Sequence, residues 1–485
     1  MVTESVVLAL VGGGLGLAVA QSGIRALLAV SPPGLPRLDA IHLDPSAFAF
    51  AAVVSALVGL AVGIVPARGA LREHVADGVR SGSTRTTGAG RRSRSVLVVA
   101  QVALALVLVV SAGLLFRSVR ILMAIPPGFD PSHVVTMQVM EAGHAFDDPA
   151  ARLAFYDNAL QAVRRVPGVG DAAFTSQLPL SGDVDGYGFE VQARPDQQAG
   201  TAGSALRYTV SPDYFATMRI PLVRGRLLNA ADRPGAAEAI VINESMARRL
   251  FGDQDGIGQR LRFGPQMGNG RWGEVVGVVG DVRHHSLAAA APDAFYVANG
   301  QWEWADNVET LVVRASGNAA SLVPELRQAV WSVNPDIPIL RIQTMDGLVT
   351  ASAGPRRFAL LAIQTLAVVA LLLAAIGLYG VIAGNVAERI REIGIRTALG
   401  ASPGAVAGAV VRQALSLVAA GAVIGGAGAV VAARLLSAML FQVSPLDPVT
   451  YGATAALLAV VALLAAWAPA RRAVGVDPTV AVRAE

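Results

Sequence analysis

The reactive side chains of this 485-residue chain are 6 histidines and 35 carboxylates, with no cysteine among them. His284 and His285 invite a metal reading. Neighbours at the end of a strand point to opposite faces, however, so a structural role is favoured. Asp183 and Asp185 stand two apart in Ser181-Gly182-Asp183-Val184-Asp185-Gly186. The later glutamate of a calcium loop is missing, and a turn is favoured. Neither a G-x-S-x-G elbow nor an H-E-x-x-H helix occurs. All 39 basic residues are arginine. A Walker A loop needs a lysine at the β/γ-phosphates, so this chain is not its own P-loop ATPase. No catalytic residue, metal site or bound cofactor is expected, and the chain is read as a non-enzyme.

One charged set has helical spacing. In the stretch from Asn385 to Pro403, Val386, Ile390 and Ile393 repeat at helical intervals. Glu388/Arg391 and Glu392/Arg396 stand three and four apart, as ion pairs on a helix do. Gly400 suits the position after a helix end, and Ser402-Pro403 suits the cap and first residue of the next helix. On pattern alone this short amphipathic helix is either an interfacial anchor at the membrane edge or a surface for a partner.

The surrounding elements are set by hydropathy. The chain is 53% hydrophobic and 15% charged, with mean hydropathy +0.52. Windows free of Asp, Glu, Lys and Arg fall at 5–24, 45–67, 95–116, 358–387, 413–433 and 448–470. Each reaches the roughly 20 residues that cross a bilayer as helix. A mid-bilayer charge costs roughly 2.5–3.5 kcal/mol, so such windows rarely arise by chance. Six predicted spans make a polytopic α-helical membrane protein, multi-pass in the cell (inner) membrane. Arginines cluster in 67–94, near 388–396 and in the tail, which places those segments and both termini in the cytoplasm. The insert 117–357 is then extracytoplasmic. The basic balance is that of span-flanking arginines, and no nucleic acid is expected.

Two stretches repeat. Leu43-Asp44-Pro45 recurs as Leu446-Asp447-Pro448, and Pro66-Ala67-Arg68 as Pro469-Ala470-Arg471. Gly12 and Gly16 match Gly421 and Gly425, whose small-xxx-small spacing lets helices pack closely in lipid. Gly12-Gly13-Gly14 lies inside an apolar span with no strand before it, so packing is preferred to a nucleotide loop.

Inside the insert the pattern is α+β. Strands are expected at 133–139, 239–243, 274–282 and 309–314, and helices at 149–165 and 319–332. Asn243 is placed to cap a helix from Glu244 to Leu250. About 240 residues exceed the usual single-domain size, so two lobes are expected.

Arg391-Glu392-Ile393-Gly394-Ile395-Arg396, followed by Ala398-Leu399-Gly400-Ala401, resembles the cytoplasmic motif of FtsX-like/MacB-type ABC transporter permeases. Pro469-Ala470-Arg471-Arg472 and Val476-Asp477-Pro478 resemble that family's C-terminus. The insert resembles a MacB-type periplasmic core domain at 210–215, 224–226, 242–244 and 276–283. Gln101-Val102-Ala103-Leu104-Ala105 and Gly113-Leu114-Leu115 resemble the duplicated acidobacterial-type orphan permeases. The resemblance implies a permease subunit of an efflux or extraction system, in which a separate ABC ATPase binds ATP and moves the extracytoplasmic domain. It implies ATPase docking at Glu388, Arg391, Glu392 and Arg396, and a permease dimer or second module. An outer-membrane or periplasmic partner also fits. A non-transporting transducer that regulates an external partner, such as a cell-wall hydrolase, is the alternative.

The expected organisation is 1–68 as the last two spans of a first module and 69–94 as a basic cytoplasmic linker. Residues 95–122 form a span and stalk, 123–355 the extracytoplasmic core domain, and 356–485 a permease domain with three spans. A member of the duplicated subgroup has two full modules, so the chain is expected to be N-terminally truncated.

Overall fold

The computed structural model describes residues 2–29, 45–57, 60, 88–141, 146–192, 203–263, 271–302, 306, 308–399 and 401–475. The chain forms two compact units, Met1–Ile121 with Gly354–Glu485, and Leu122–Ala353. The first opens with three helices, α1 (Val2–Ala29), α2 (Pro45–Leu57) and α3 (Gly88–Met123).

Leu122–Ala353 interleaves strands and short helices: β1 (Val134–Met140), α4 (Pro149–Arg164), β2 (Val169–Thr175), β3 (Gly186–Val191), β4 (Ser204–Val210), α5 (Tyr214–Met218), β5 (Leu222–Gly225) and β6 (Ala239–Asn243). Then come α6 (Glu244–Phe251), β7 (Arg260–Phe263), β8 (Gly273–Val279), β9 (Ala294–Ala298), β10 (Val308–Ala315), α7 (Val323–Trp331), β11 (Ile339–Thr344) and α8 (Met345–Ser352). The strands join in the order β11-β1-β10-β2-β4-β3-β7-β8-β6-β9, with β5 on β8. β9 pairs back in parallel with β4, so β4, β3, β7, β8, β6 and β9 close into a ring. β2 meets β4 through the pair Thr175↔Val210. Two lobes were expected, but Leu122–Ala353 is one compact unit built on a single 11-stranded sheet.

Alternation along the strands feeds separate cores. Val135, Met137, Leu311 and Val313 pack on Leu160 and Val163 of α4 and on Leu326 and Val330 of α7. Their neighbours Val134 and Val312 turn to Tyr214, Phe215 and Met345. In β6, Ile240 and Ile242 join Phe295 and Val297, while Val241 faces the other way. Asn243 caps α6 as expected, accepting from Met246 N at 3.3 Å.

The chain returns in α9 (Gly354–Glu388), α10 (Ile390–Ala398), α11 (Pro403–Leu435) and α12 (Pro448–Val474). Among the described residues, 4 helices are long and apolar enough to cross a membrane: Arg94–Met123 of α3, and α9, α11 and α12. Six were expected. α1 covers the first window as a helix, but of the second only α2 and Leu60 are described. α2 alone is about 20 Å long, short of a hydrocarbon core. The four long helices outrun their uncharged windows because Arg117, Arg356 and Arg412 continue the helix; what ends a clean window is a charge, not the backbone.

Small and aliphatic residues at spacing four line the bundle interior, including Val98, Val102 and Leu106 of α3 and Ala374 and Leu378 of α9. Ala414 and Ala429 of α11 and Leu458, Ala462 and Ala466 of α12 complete it. Leu372, Ile376, Val423, Ile424, Leu463 and Leu464 face outward and exposed. Helices apolar on every side are those of a membrane bundle.

Candidate functional site

The charged set lies where α9, α10 and α11 follow one another. The expected continuous helix over 386–399 is broken at Arg389 (φ −108°, ψ 12°), so Val386 falls in the last turn of α9, which ends at Glu388, and α10 begins at Ile390. Arg389 N donates to Val386 O at 3.2 Å, and Ile393 N to Arg389 O at 2.9 Å, which lets the chain bend without losing its hydrogen bonds. The break separates the three apolar residues: Ile393 is half-buried, Ile390 exposed and Val386 buried. Glu388, Arg391, Glu392 and Arg396 are all exposed. Arg396 donates to Glu392 at 2.5 Å, and Arg389, overlooked in the sequence, lies 4.0 Å from the same carboxylate. Ser402 caps α11, accepting from Ala405 N at 3.3 Å, with Pro403 first in the helix. Gly400 lies outside the described residues.

Gly421 and Gly425 are buried where α11 meets α3. A Cβ on Gly421 would sit 2.7 Å from Val102 Cβ, and one on Gly425 2.7 Å from Ala103 O. Gly12 and Gly16 differ: a Cβ on either would meet nothing within 4 Å among the described residues. Close approach in α1 falls instead to Gly13, against Ser55.

A second cluster ties the α11–α12 loop to the two helices that lead into the insert. Asp447 caps α12, accepting from Thr450 N at 3.0 Å and Thr450 Oγ1 at 2.6 Å, and its other oxygen takes Arg117 of α3 at 2.5 Å. The Thr450 hydroxyl, with Arg117 adding, holds its carboxyl below the usual range. Ser118 Oγ accepts from Phe441 N at 2.8 Å, and Arg356 of α9 donates to Met439 O at 3.2 Å. Leu115, Val119 and Leu360 fill the space behind them. Two of these contacts, Arg117 to Asp447 and Ser118 to Phe441, join residues over 300 apart. The only sequence signal was the repeated Leu-Asp-Pro, whose aspartate precedes a helix-starting proline.

The insert's polar residues are structural. His284 is buried, with Nδ1 against the Tyr208 hydroxyl and Nε2 2.5 Å from Asp183 O. Asp183 accepts from Ser181 Oγ at 2.9 Å and from Arg341 at 3.2 Å, whereas Asp185 takes Arg207 at 2.8 Å. The two aspartates therefore face different partners. Arg207 also reaches Asp306 at 2.9 Å. Nearby, burial pushes Glu309 well above the ordinary carboxylate range, reinforced by Asp306 and Glu141. Burial raises Glu141 to about 7, opposed by Arg152 at 4.0 Å and aided by Asp306.

Residues 365–478 match the family model of the FtsX-like permease C-terminal domain, and residues 95–329 that of the MacB-like periplasmic core domain. The chain is 26% identical over 207 residues to the macrolide export ATP-binding/permease protein MacB of Aggregatibacter actinomycetemcomitans, covering 41% of this chain and 31% of that one. It is 26% identical over 272 residues to the pyoverdine export ATP-binding/permease protein PvdT of Pseudomonas syringae pv. syringae, covering 55% and 40%. With MacB 1/2 of Paracoccus denitrificans the identity is 27% over 308 residues, covering 59% and 43%. The chain therefore spans less than half the length of these relatives. The crystal structure of the periplasmic region of MacB from Actinobacillus actinomycetemcomitans covers 46% of this chain and 94% of that one, at 17% identity and TM-score 0.32.

Proposed function

We propose, because this chain belongs to the FtsX-like and MacB-like permeases, that it is the membrane subunit of an ABC-type export system. A separate ATPase subunit binds and hydrolyses ATP and docks on the end of α9 and on α10, through Glu388, Arg391, Glu392 and Arg396. Closure of that ATPase tilts the spans, and α3 and α9 carry the tilt to the extracytoplasmic domain, 123–355. With Arg94–Met123, α9, α11 and α12 as spans, α10 lies on the cytoplasmic side, and a second module or a second copy completes the permease.

One observation carries this reading: the helices through which the chain enters and leaves the insert are longer than a bilayer requires. Arg94–Met123 has 30 residues and Gly354–Glu388 has 35. At 1.5 Å per residue they reach roughly 45 and 52 Å, against about 30 Å of hydrocarbon. The excess gives each a rigid extension able to transmit a tilt. Absence of charged residues from the centres of the spans fits motion better than an ion path. The macrolide and pyoverdine export named for the relatives favours an export role over the transducer alternative.

The docking face is tested by co-purification. Glu392→Ala with Arg396→Ala should abolish recovery of the ATPase subunit with the chain; unchanged recovery would show that the docking face lies elsewhere.

A further inference from the structure

We propose that the groove where α9, α10 and α11 meet binds the phosphate of an anionic phospholipid from the adjacent leaflet. The site needs only that α9 and α11 span the membrane, although Glu392 and Arg396 of its wall also belong to the proposed ATPase contact. Its cavity measures about 180 Å³. The polar wall is Asn385, Arg389, Glu392, Arg396 and Gln413, which offers two guanidiniums against one carboxylate. Asn385 is 6% exposed, and its Nδ2 has no hydrogen-bond partner among the described residues. An orphaned buried donor destabilises the fold, and an acceptor oxygen in the cavity would satisfy it.

Two further features point to an anion. The α11 helix begins at the cavity, with Ala401 and Ala405 in the lining, and a helix N-terminus carries partial positive charge. Arg391 and Arg412 stand at the same end, and Arg94 Nη1 lies 4.0 Å from where a Gly384 Cβ would be. Apolar side chains share the lining, among them Val386, Ile393, Val406 and Val410, so a ligand with a charged head and a greasy body fits better than a free ion. Basic pockets between spans take phospholipid headgroups in this way.

The test uses the purified full chain and native mass spectrometry of retained lipid, with phosphatidylglycerol, phosphatidylcholine or inorganic phosphate supplied. Wild type should retain phosphatidylglycerol over phosphatidylcholine by about tenfold or more. Asn385→Leu and Arg389→Gln should each cut that retention several-fold, while Arg391→Gln, outside the cavity, should not. Thermal melting in phosphatidylcholine checks folding, and Arg396→Gln replaces any variant that fails it. Equal retention in all variants, or no headgroup preference, overturns the proposal. So does displacement of phosphatidylglycerol by inorganic phosphate, which would indicate a free-anion site. Expulsion of the lipid by added ATPase subunit would make the occupant a protein segment and overturns it as well. Unchanged ATPase recovery with Glu392→Ala and Arg396→Ala, while wild type still prefers phosphatidylglycerol, would sink only the docking face.

Discussion

Replacing Gly425 with alanine adds a single methyl group where α11 crosses α3. Its Cβ would lie 2.7 Å from Ala103 O and 2.8 Å from Ala103 Cα, and both are backbone atoms that no rotamer change can move. To restore ordinary contact at 3.4 Å, the helices must separate by about 0.7 Å, which weakens every packed pair along the crossing. Overpacking of this kind costs about 1–3 kcal/mol. Gly426, the next residue in the same helix, supplies the control, because a Cβ there meets nothing within 4 Å. Thermal unfolding in one detergent should place Gly425→Ala well below wild type and Gly426→Ala at or above it. Equal melting of the two variants would refute the close α3–α11 crossing.

Other substitutions follow the same logic. Asn243→Ala should cost about 2–4 kcal/mol by denaturant or thermal melting, since it removes the α6 cap and orphans the groups it bonds, Ala294 N and Pro292 O. Asp447→Ala should cost about 1 kcal/mol through the lost cap, and Arg117→Ala less, because the arginine is half exposed. For pH, Glu141 sits at about 7 in the fold against 4.5 ordinarily, so the folded state holds its proton more tightly. Its stabilisation is full below 4.5 and is lost as pH rises to about 7, and Glu309 acts in the same direction. The melting temperature of the full chain should fall over that window, and Glu141→Gln should flatten the fall.

Where local physics decides, the sequence was legible. The strand at 239–243 and its Asn243 cap appear at the expected residues because alternation and capping are local rules. The clean windows located all four long helices for the same reason. β3, β5 and β9 gave no usable pattern. Gly186 and Gly188 thin β3, β5 is exposed throughout, and β9 is buried on both faces and so does not alternate. In the charged set the residue types were readable, but the break at Arg389 was not, since nothing in its neighbours forbids a continuous helix. Long-range ties such as Arg117 to Asp447 have no local sign at all. The Gly-xxx-Gly spacing told the same story in both copies, yet among the described residues it is Gly421 and Gly425 that meet a partner helix, because spacing permits close packing without supplying the neighbour.

Transmission along α3 and α9 is open to a distance measurement, helped by a chain with no native cysteine. Arg120→Cys and Arg357→Cys, both exposed, place spin labels on the two helices near the insert. Pulsed electron–electron spectroscopy on the reconstituted complex with its ATPase should show the label separation shift between nucleotide-free and ATP-bound states. The shift should vanish when Glu392→Ala and Arg396→Ala uncouple the ATPase. An unchanged separation while ATP is being hydrolysed by the bound ATPase would contradict the lever account.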